Sequence, residues 1–521
     1  PNQGTSGPLG TGTILLNGGT LSYTGGGTPS TNRNISVGTS GGTLQNASSL
    51  GGTLTLTGTI NATGTGGGVN PLTVDVVSGN ITLNPATVTT ALSNLTVTGG
   101  NTLTLSKAGI YTGSTSINSG TLISGISGAL PSTTSLIFNG SSAATFDMNG
   151  FAQTIGNLSG TNTNAIVRNS GAAQTLSLVG STSGNYAGVL SGALGLTVNL
   201  TGGSTLTLPN ANSDYTGATT ITAGTVSVSH LANAGLGSSI GAGTTTPGIS
   251  IGATGILQYI GTTADSTSRA ITLTGSGATL DASGTGSITY SGGITGTATN
   301  LNLTGTGAGT ESGVIGITTG TVTKSGTGTW TLTGLNTYSG ITTISSGVVS
   351  VASLPNQGSS SPLGAGTILL NGGTLSYTGA NLSTTRNISV GASGGVLQAT
   401  ASGQTLTLTG TLNVTGSGGG ANPLTVDVNA GNITLQFGTF GTALSNLAVT
   451  GSGTGTLTLA TSGLYTGSTS IASGILKSGI AGAVPSTTSL IFNGSSPATF
   501  NMNGFAQTVA SLSGSNASAI V

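Results

Sequence analysis

Charged side chains are scarce in this chain of 521 residues. Asp, Glu, Lys and Arg make up 3% of it, and seven bases balance seven acids, whereas an ordinary soluble domain has roughly 25% charged residues. Because the chain lacks a basic surface to hold phosphate groups, nucleic acid is excluded as a partner. Weak electrostatic repulsion between copies instead favours self-association, through lateral contacts, end-to-end contacts or both.

Cysteine is absent as well, which excludes disulfides and thiolate metal sites. A chain without cysteine fits an exported protein that crosses a cell envelope unfolded. No apolar run approaches the ~20 residues of a membrane-spanning helix, so we expect no spanning segment in this stretch of sequence. Disorder is excluded too, because apolar and hydroxyl residues alternate regularly along the chain, a pattern that disordered tracts lack.

The hydrophobic pattern has a period of two. In Thr53-Leu54-Thr55-Leu56-Thr57 leucine falls on one face and threonine on the other, and similar runs occur at 102–105, 205–208, 329–333, 405–409 and 456–459. Each run predicts a short strand with one buried face and one wet face. Glycines separate the strands and predict turns with positive φ; examples are Gly18-Gly19, Gly66-Gly67-Gly68 and Gly418-Gly419-Gly420.

A long internal repeat organises the chain. Pro1-Asn2-Gln3-Gly4 returns 354 residues later as Pro355-Asn356-Gln357-Gly358, and residues 131–155 differ from residues 485–509 at three positions only. We therefore expect residues 1–354 to form a first complete repeat unit and residues 355–521 to begin a second, within a longer protein.

The repeat and the strand pattern together predict the fold. A barrel closes at a fixed number of strands, whereas a solenoid can be extended turn by turn. The prediction is an all-β, right-handed parallel β-helix (β-solenoid) with about 22 residues per turn, built from tandem repeats. Leucine, threonine and asparagine should stack in ladders, and the asparagine amides should bond to one another along the axis.

One phrase recurs four times: a Thr-Leu strand, a spacer, and then Tyr-(Thr/Ser)-Gly-x-(Thr/Ser)-x-Ile. The fullest version contains Trp330, Tyr338 and Gly340, and the others centre on Tyr111 and Gly113, Tyr215 and Gly217, and Tyr465 and Gly467. We expect each ring to be buried at a corner with its hydroxyl in water, and the glycine to permit the bend. A sugar-stacking platform is the less favoured alternative, because the chain has only nine tyrosines.

This phrase resembles the autotransporter-associated β-strand repeat, or passenger-associated transport repeat, of bacterial cell-surface proteins. A second phrase, from Ala144 to Phe151, returns from Ala498 in the same style. The resemblance implies β-helical passengers displayed outside the cell, with adhesive, matrix or scaffold roles. It therefore implies an extracellular or bacterial cell-surface location.

A polysaccharide-active enzyme must be considered, because some parallel β-helices are lyases or hydrolases with clustered carboxylates or bases. The loosely charged stretch holds His230, Asp265, Arg269, Asp281 and Glu311, and Asp265 and Asp281 could lie on neighbouring turns. We interpret these five as scattered, solvated turn residues and predict no enzyme, no catalytic residue and no cofactor. No second histidine accompanies His230, so a metal site is not expected.

Two other features have simple explanations. Arg33 and Asp75 recur as Arg386 and Asp427, which a weak ion pair or a surface ladder explains. Threonine arrays can order water, as on an ice-binding face. The Thr-x-Thr runs here fall at irregular intervals, which argues against that role.

The leading hypothesis is a structural extracellular β-solenoid that self-associates into a fibre, sheath or cell-surface matrix. The alternative is a monomeric autotransporter-like adhesin passenger that binds a surface or host ligand. No residue of the sequence is assigned to ligand binding.

Overall fold

The computed structural model of the protein describes residues 2–4, 7–63, 69–244, 248–415, 422–451 and 454–521. The predicted turns at 66–68 and 418–420 lie outside these ranges. The chain divides into two compact units, Pro1–Tyr259 and Ile260–Val521. This boundary does not coincide with the sequence repeat, whose division at residue 354 stays a prediction.

Unit 1 contains three ladders of parallel strands. The first stacks Ile14–Leu16, Ile35–Val37 and Ile60–Ala62. The second stacks Thr20–Tyr23, Gly42–Asn46, Leu72–Val76, Leu95–Gly99, Thr115–Ile117, Ser135–Ile137 and Asn157–Ser159. The third comprises Ser30–Thr31, Thr53–Leu56, Asn80–Leu83, Thr102–Leu105, Gly120–Ser124, Ala144–Asp147, Gln153–Ile155, Ala165–Leu178, Gly184–Asn185, Val189–Asn199, Thr205–Leu208, Thr219–Val228 and Ile249–Tyr259.

Unit 2 contains four ladders, again parallel. The longest stacks Asp265–Thr267, Ile288–Tyr290, Ala308–Glu311, Thr329–Leu332, Val348–Val351, Thr374–Tyr377, Gly395–Ala399, Leu424–Asp427, Leu447–Thr450, Thr469–Ile471, Ser489–Phe492 and Ser511–Gly514. The second stacks Ala278–Ala282, Leu301–Thr304, Val322–Lys324, Thr342–Ile344, Ile368–Leu370, Ile388–Val390, Thr411–Val414 and Thr439–Phe440. The third stacks Leu382–Thr384, Thr405–Leu408, Asn432–Leu435, Thr456–Leu459, Gly474–Ser478, Ala498–Asn501 and Ala519–Ile520. The fourth stacks Ile271–Leu273, Ile294–Thr295 and Ile315–Gly316.

The interior of each unit is a set of stacked aliphatic side chains. Leu103 lies in register between Ile81 and Leu122, and all three are fully buried. Threonine takes the outward positions of the same strands, where a β-branched side chain suits a half-buried pleated surface. Each unit is therefore a parallel β-solenoid, and the predicted all-β fold class is confirmed. Its right-handed sense stays a prediction.

Loops of different length keep the strands in register. Among the described strands, the separation between stacked residues ranges from 19, between Thr102 and Thr121, to 31, between Ala223 and Thr254. The irregular spacing of the Thr-x-Thr runs in the sequence is therefore absorbed at the corners. The prediction that irregular intervals in the sequence rule out a regular threonine array is therefore wrong.

Asparagine side chains stabilise the corners differently from the prediction. Asn34 Oδ1 accepts a hydrogen bond from the backbone N–H of Thr59 one turn later, at 2.9 Å, and Asn387 does the same for Thr411 at 3.0 Å. These amides therefore bond mainly to the backbone of the next turn and not to one another. Positive φ is confirmed at Gly18 (+88°), but Gly19 does not share it.

The described ranges include no helix that is long and apolar enough to cross a membrane.

Candidate functional site

The four motif tyrosines form corners in which ring and hydroxyl are both buried. Each hydroxyl lies 2.6 Å from the Oγ1 of the threonine four residues later. The pairs are Tyr111 with Thr115, Tyr215 with Thr219, Tyr338 with Thr342, and Tyr465 with Thr469. Burial raises the pKa of Tyr111, Tyr338 and Tyr465, and the threonine hydrogen bond lowers it only in part. The expected solvated hydroxyl is therefore wrong, because the hydroxyl is satisfied inside the protein.

The tyrosine–threonine pairs continue into the following turn. Thr115 Oγ1 lies 2.9 Å from Thr134 Oγ1, and the Thr134 hydroxyl donates to the Gly113 carbonyl at 2.7 Å. The same bonds, at the same distances, link Thr469, Thr488 and Gly467. Each network thus closes on the glycine of its own corner and fixes the next loop against it.

The motif glycines are needed for close approach and not for an unusual backbone angle. None of Gly113, Gly217, Gly340 and Gly467 has positive φ. A Cβ on any of them would clash with a carbonyl oxygen of the preceding turn, for example that of Ser93 at Gly113 or of Ser445 at Gly467. The expectation that glycine permits the bend is therefore replaced by a packing requirement between turns.

Trp330 lies wholly inside unit 2. Its ring stacks on that of Tyr290 with centroids 6.1 Å apart, and its Nε1 donates to the Thr304 carbonyl at 2.9 Å. The aromatic members of the motif are therefore core residues. They offer no exposed platform for sugars.

The recurring arginines are buried and not surface residues. Arg386 Nη2 donates to the carbonyls of Leu363 (2.9 Å) and Gly364 (2.6 Å), and the Thr342 hydroxyl donates to the same Leu363 carbonyl at 3.0 Å. In the first copy Arg33 donates to the carbonyls of Leu9 and Gly10. The predicted weak ion pair or surface ladder is wrong for these arginines, which cross-link loops through the backbone.

The surface ladder is found at the recurring aspartates. Gln45 Nε2 donates to an Asp75 carboxylate oxygen at 2.8 Å, and the Thr98 hydroxyl donates to the other at 3.1 Å. Gln398 and Asp427 repeat the amide–carboxylate bond at 2.8 Å in the second copy.

The charged residues considered for catalysis do not form one cluster. Asp265 stacks on Ile288, whereas Asp281 stacks on Thr304 in a different ladder. The two acids therefore do not share a ladder, and the expectation that they lie on neighbouring turns stays a prediction. His230 follows the strand Thr219–Val228 in unit 1. Among the described residues, no group of three or more His, Asp or Glu could hold a metal ion.

Glu311 and Arg269 also differ from the expected solvated turn residues, because both are buried. Glu311 lies in register between Tyr290 and Leu332. Burial raises the pKa of its carboxyl group to about 8, against a smaller lowering effect of the nearby Gly313 N–H, and neither oxygen has a hydrogen bond of normal geometry. The side chain is therefore a buried neutral acid at pH 7, with no route for a substrate to reach it.

Lys324 is a further buried ionisable group of this region. Its ammonium donates to the carbonyls of Ser325, Gly326 and Ser346 at 2.6, 2.9 and 3.1 Å. Burial lowers its pKa to about 8. Three carbonyl acceptors match its three donors, so the residue holds a corner together.

An apolar cavity of about 220 Å³ lies in unit 1 among Leu9, Leu21, Leu44 and Leu54, next to Arg33. In the second copy the residue that corresponds to Leu21 is Leu375, which is buried in register with Val349. The cavity thus coincides with a position that is solenoid core in the second copy, and we assign no ligand to it.

Four segments match the family model of the passenger-associated-transport-repeat: residues 95–123, 198–228, 322–351 and 449–477. Each segment contains one of the tyrosine–threonine corners. The chain therefore contains four passenger-associated transport repeats. Within each transport repeat, one strand ends before the buried corner and another begins after it, as Thr102–Leu105 and Thr115–Ile117 do around Tyr111.

The chain is also similar to a known adhesin. It is 32% identical over 233 residues to the adhesin BmaC autotransporter of Brucella suis biovar 1 (strain 1330). The match covers 43% of this chain and 6% of that protein, so the chain spans only a small part of this relative's length. No solved structure matches the chain.

Sequence reasoning found the tyrosine and glycine of each transport repeat but missed the partners that complete the corner. The hydroxyl residue four positions after each tyrosine is present in the motif, and it is the signal that identifies Thr115, Thr219, Thr342 and Thr469. No sequence signal points to Leu363 or Thr134, because they reach the corner from a loop of the next turn.

Proposed function

We propose that this chain belongs to the surface-displayed passenger of an autotransporter adhesin, and that it acts by binding and not by catalysis. The observation that carries the proposal is the presence of four transport repeats in a chain that is also similar to an adhesin autotransporter. These findings favour the alternative hypothesis from the sequence over a structural fibre. Location outside the cell or on the bacterial surface is part of the same proposal.

The architecture suits a binding role. Parallel ladders and buried corners make the solenoid wall self-sufficient, so the outward positions of the strands are free to vary without loss of the core. Those positions carry threonine, serine, asparagine and few charges. A surface of this kind meets a partner through hydrogen bonds and shape, with little electrostatic steering.

The placement of the acids supports a non-enzymatic role. Asp265 and Asp281 lie in separate ladders, and Glu311 is enclosed in the core. Glycoside hydrolysis needs two carboxyl groups that flank one bond in an accessible site. Incubation of the folded chain with neutral and acidic polysaccharides should therefore release no oligosaccharides.

Surface display tests the proposal. The chain is fused to an unrelated outer-membrane anchor, and attachment of the cells to host-cell layers and to abiotic surfaces is counted. We expect more attachment than with the anchor alone, with display verified by antibody binding. Equal attachment at equal display would contradict the adhesin proposal.

A further inference from the structure

One outward column of unit 2 is polar over nine consecutive turns. Its members lie in register in the longest ladder of that unit: Ser266, Thr289, Thr310, Thr331, Ser350, Ser376, Gln398, Asp427 and Thr450. Ser376 is buried, and the other eight are partly or fully exposed. We call this set the hydroxyl column. At about 4.8 Å per strand it extends for about 38 Å.

A second outward column runs beside it and consists of small or β-branched side chains: Ala308, Thr329, Val348, Thr374, Val396, Thr425, Ala448 and Ser470. The two columns together form what we call the hydroxyl face. Its single charged residue is Asp427, whose carboxylate accepts a hydrogen bond from Gln398 at 2.8 Å.

The hydroxyl face retains unused hydrogen-bonding capacity. In the part of the chain that the structure describes, the hydroxyls of Thr289, Thr310, Thr331 and Ser350 bond to no other side chain or carbonyl, and these four residues are partly exposed. Such a face has no lysine or glutamate to keep a second sheet away, which is the usual protection of an exposed β surface.

We propose that the hydroxyl face is a self-association surface, which packs against the hydroxyl face of a second copy of this chain. Two such faces have the same strand spacing, so side chains that interdigitate at one turn do so at every turn. Small uncharged side chains in register are those that form dry zippers between sheets. With about 7 Å between the columns and a length of about 38 Å, the strip offers a few hundred Å² per partner, which is the size of a weak contact that forms as concentration rises.

Other partners fit the hydroxyl face less well. A glycan is expected to stack on exposed aromatic rings. Tyr290 and Trp330, two aromatic residues of this ladder, are buried in the core beneath this face. An ordered water lattice needs hydroxyls in both columns, and Val348 and Val396 interrupt the second column. The same face of a second copy, which has the same strand spacing, can pack against this mixture of methyl and hydroxyl groups.

The test places charge in the hydroxyl face of the full 521-residue chain. The variant Thr331→Lys/Ser350→Lys puts two lysines on adjacent turns, and the control Thr323→Lys/Thr343→Lys puts two on adjacent turns of the second ladder of unit 2. The solenoid accepts lysine at an outward strand position, since Lys477 lies in register between Thr458 and Asn501. Circular dichroism verifies that both variants are folded.

Sedimentation velocity over a wide concentration range gives the readout. We expect the unmodified chain and the control to associate as concentration rises, and the face variant to associate at least about tenfold more weakly. High salt should partly restore its association, because it screens the added charges.

Three results would overturn the proposal. They are a chain that stays monomeric at every concentration, equal weakening by both lysine pairs, and a monomer that inhibits ice growth or is retained on neutral glycan through this face. The first two results do not bear on adhesion, because the display assay scores attachment to a foreign surface, and retention on glycan would overturn self-association while supporting adhesion. The two proposals therefore fail independently.

Discussion

At the residue scale, the tyrosine corner is the feature that the transport repeats share. The hydroxyl of Tyr111 is fully buried and bonded to Thr115, which in turn bonds to Thr134. Removing a buried hydroxyl leaves its partner without that hydrogen bond. This costs more free energy of unfolding than removing a hydroxyl that is bonded to water.

Tyr111→Phe should therefore lower the free energy of unfolding by about 1–2 kcal/mol, measured from the urea midpoint of the purified chain. Tyr23→Phe is the matched control, because the Tyr23 hydroxyl bonds to the Gly26 carbonyl at a partly exposed site, and its effect should stay within about 0.5 kcal/mol. Equal effects of the two substitutions on the free energy of unfolding would contradict the buried hydrogen bond and indicate that the Tyr111 hydroxyl is solvated.

The second prediction at this scale concerns the buried acid. The pKa of Glu311 is about 8 in the folded protein, against an ordinary value of 4.5, so the folded state binds the proton more tightly than the unfolded state. The stability due to this group is complete below about pH 4.5 and falls by about 1.4 kcal/mol per pH unit as the pH rises to about 8.

Glu311→Gln should flatten that slope, which urea midpoints between pH 5 and pH 7.5 would show. Lys324 does not interfere in this window, because its lowered pKa of about 8 changes the stability only at higher pH. Parallel pH profiles for the variant and the unmodified chain would show that Glu311 is ionised or solvated in the fold.

At the scale of the element, glycine at the corner is required by the distance between turns. Gly113→Ala would direct a methyl group into the carbonyl of Ser93, whereas a Cβ at Gly19 meets nothing within 4 Å. We expect a loss of about 1–3 kcal/mol for Gly113→Ala and almost none for Gly19→Ala, by thermal or urea unfolding. Similar values for both would mean that the turns are not in close contact at this corner.

The elements were predictable where a local pattern encodes them. The alternation of threonine and leucine in Thr53–Leu56 and Thr102–Leu105 is sufficient to predict each strand and its buried face. The sequence does not indicate which strand stacks on which, because the number of residues between stacked strands varies with loop length. The separation of Asp265 and Asp281 into different ladders, and the burial of Arg386 against a loop, both depend on that hidden register.

At the scale of the whole molecule, composition and the internal repeat were enough to predict a parallel β-solenoid. The chain has hundreds of residues in short alternating strands, few charges and no cysteine. A solenoid accommodates such a chain because it can be extended turn by turn. The transport repeats were recognisable from Tyr, Gly and Ile at fixed spacing. The hydroxyl column was not, because its nine members are scattered over 185 residues and are joined only by the register of the ladder.

Attachment in the presence of a soluble competitor tests the adhesin account most directly. Cells that display the chain are allowed to attach to a host-cell layer while the purified Thr331→Lys/Ser350→Lys chain is added in excess, so that self-association does not contribute. We predict that attachment falls to the level of the anchor alone, because the soluble chain occupies the same sites on the host surface. Attachment that is unchanged by a saturating excess of the folded competitor would contradict specific binding by this chain.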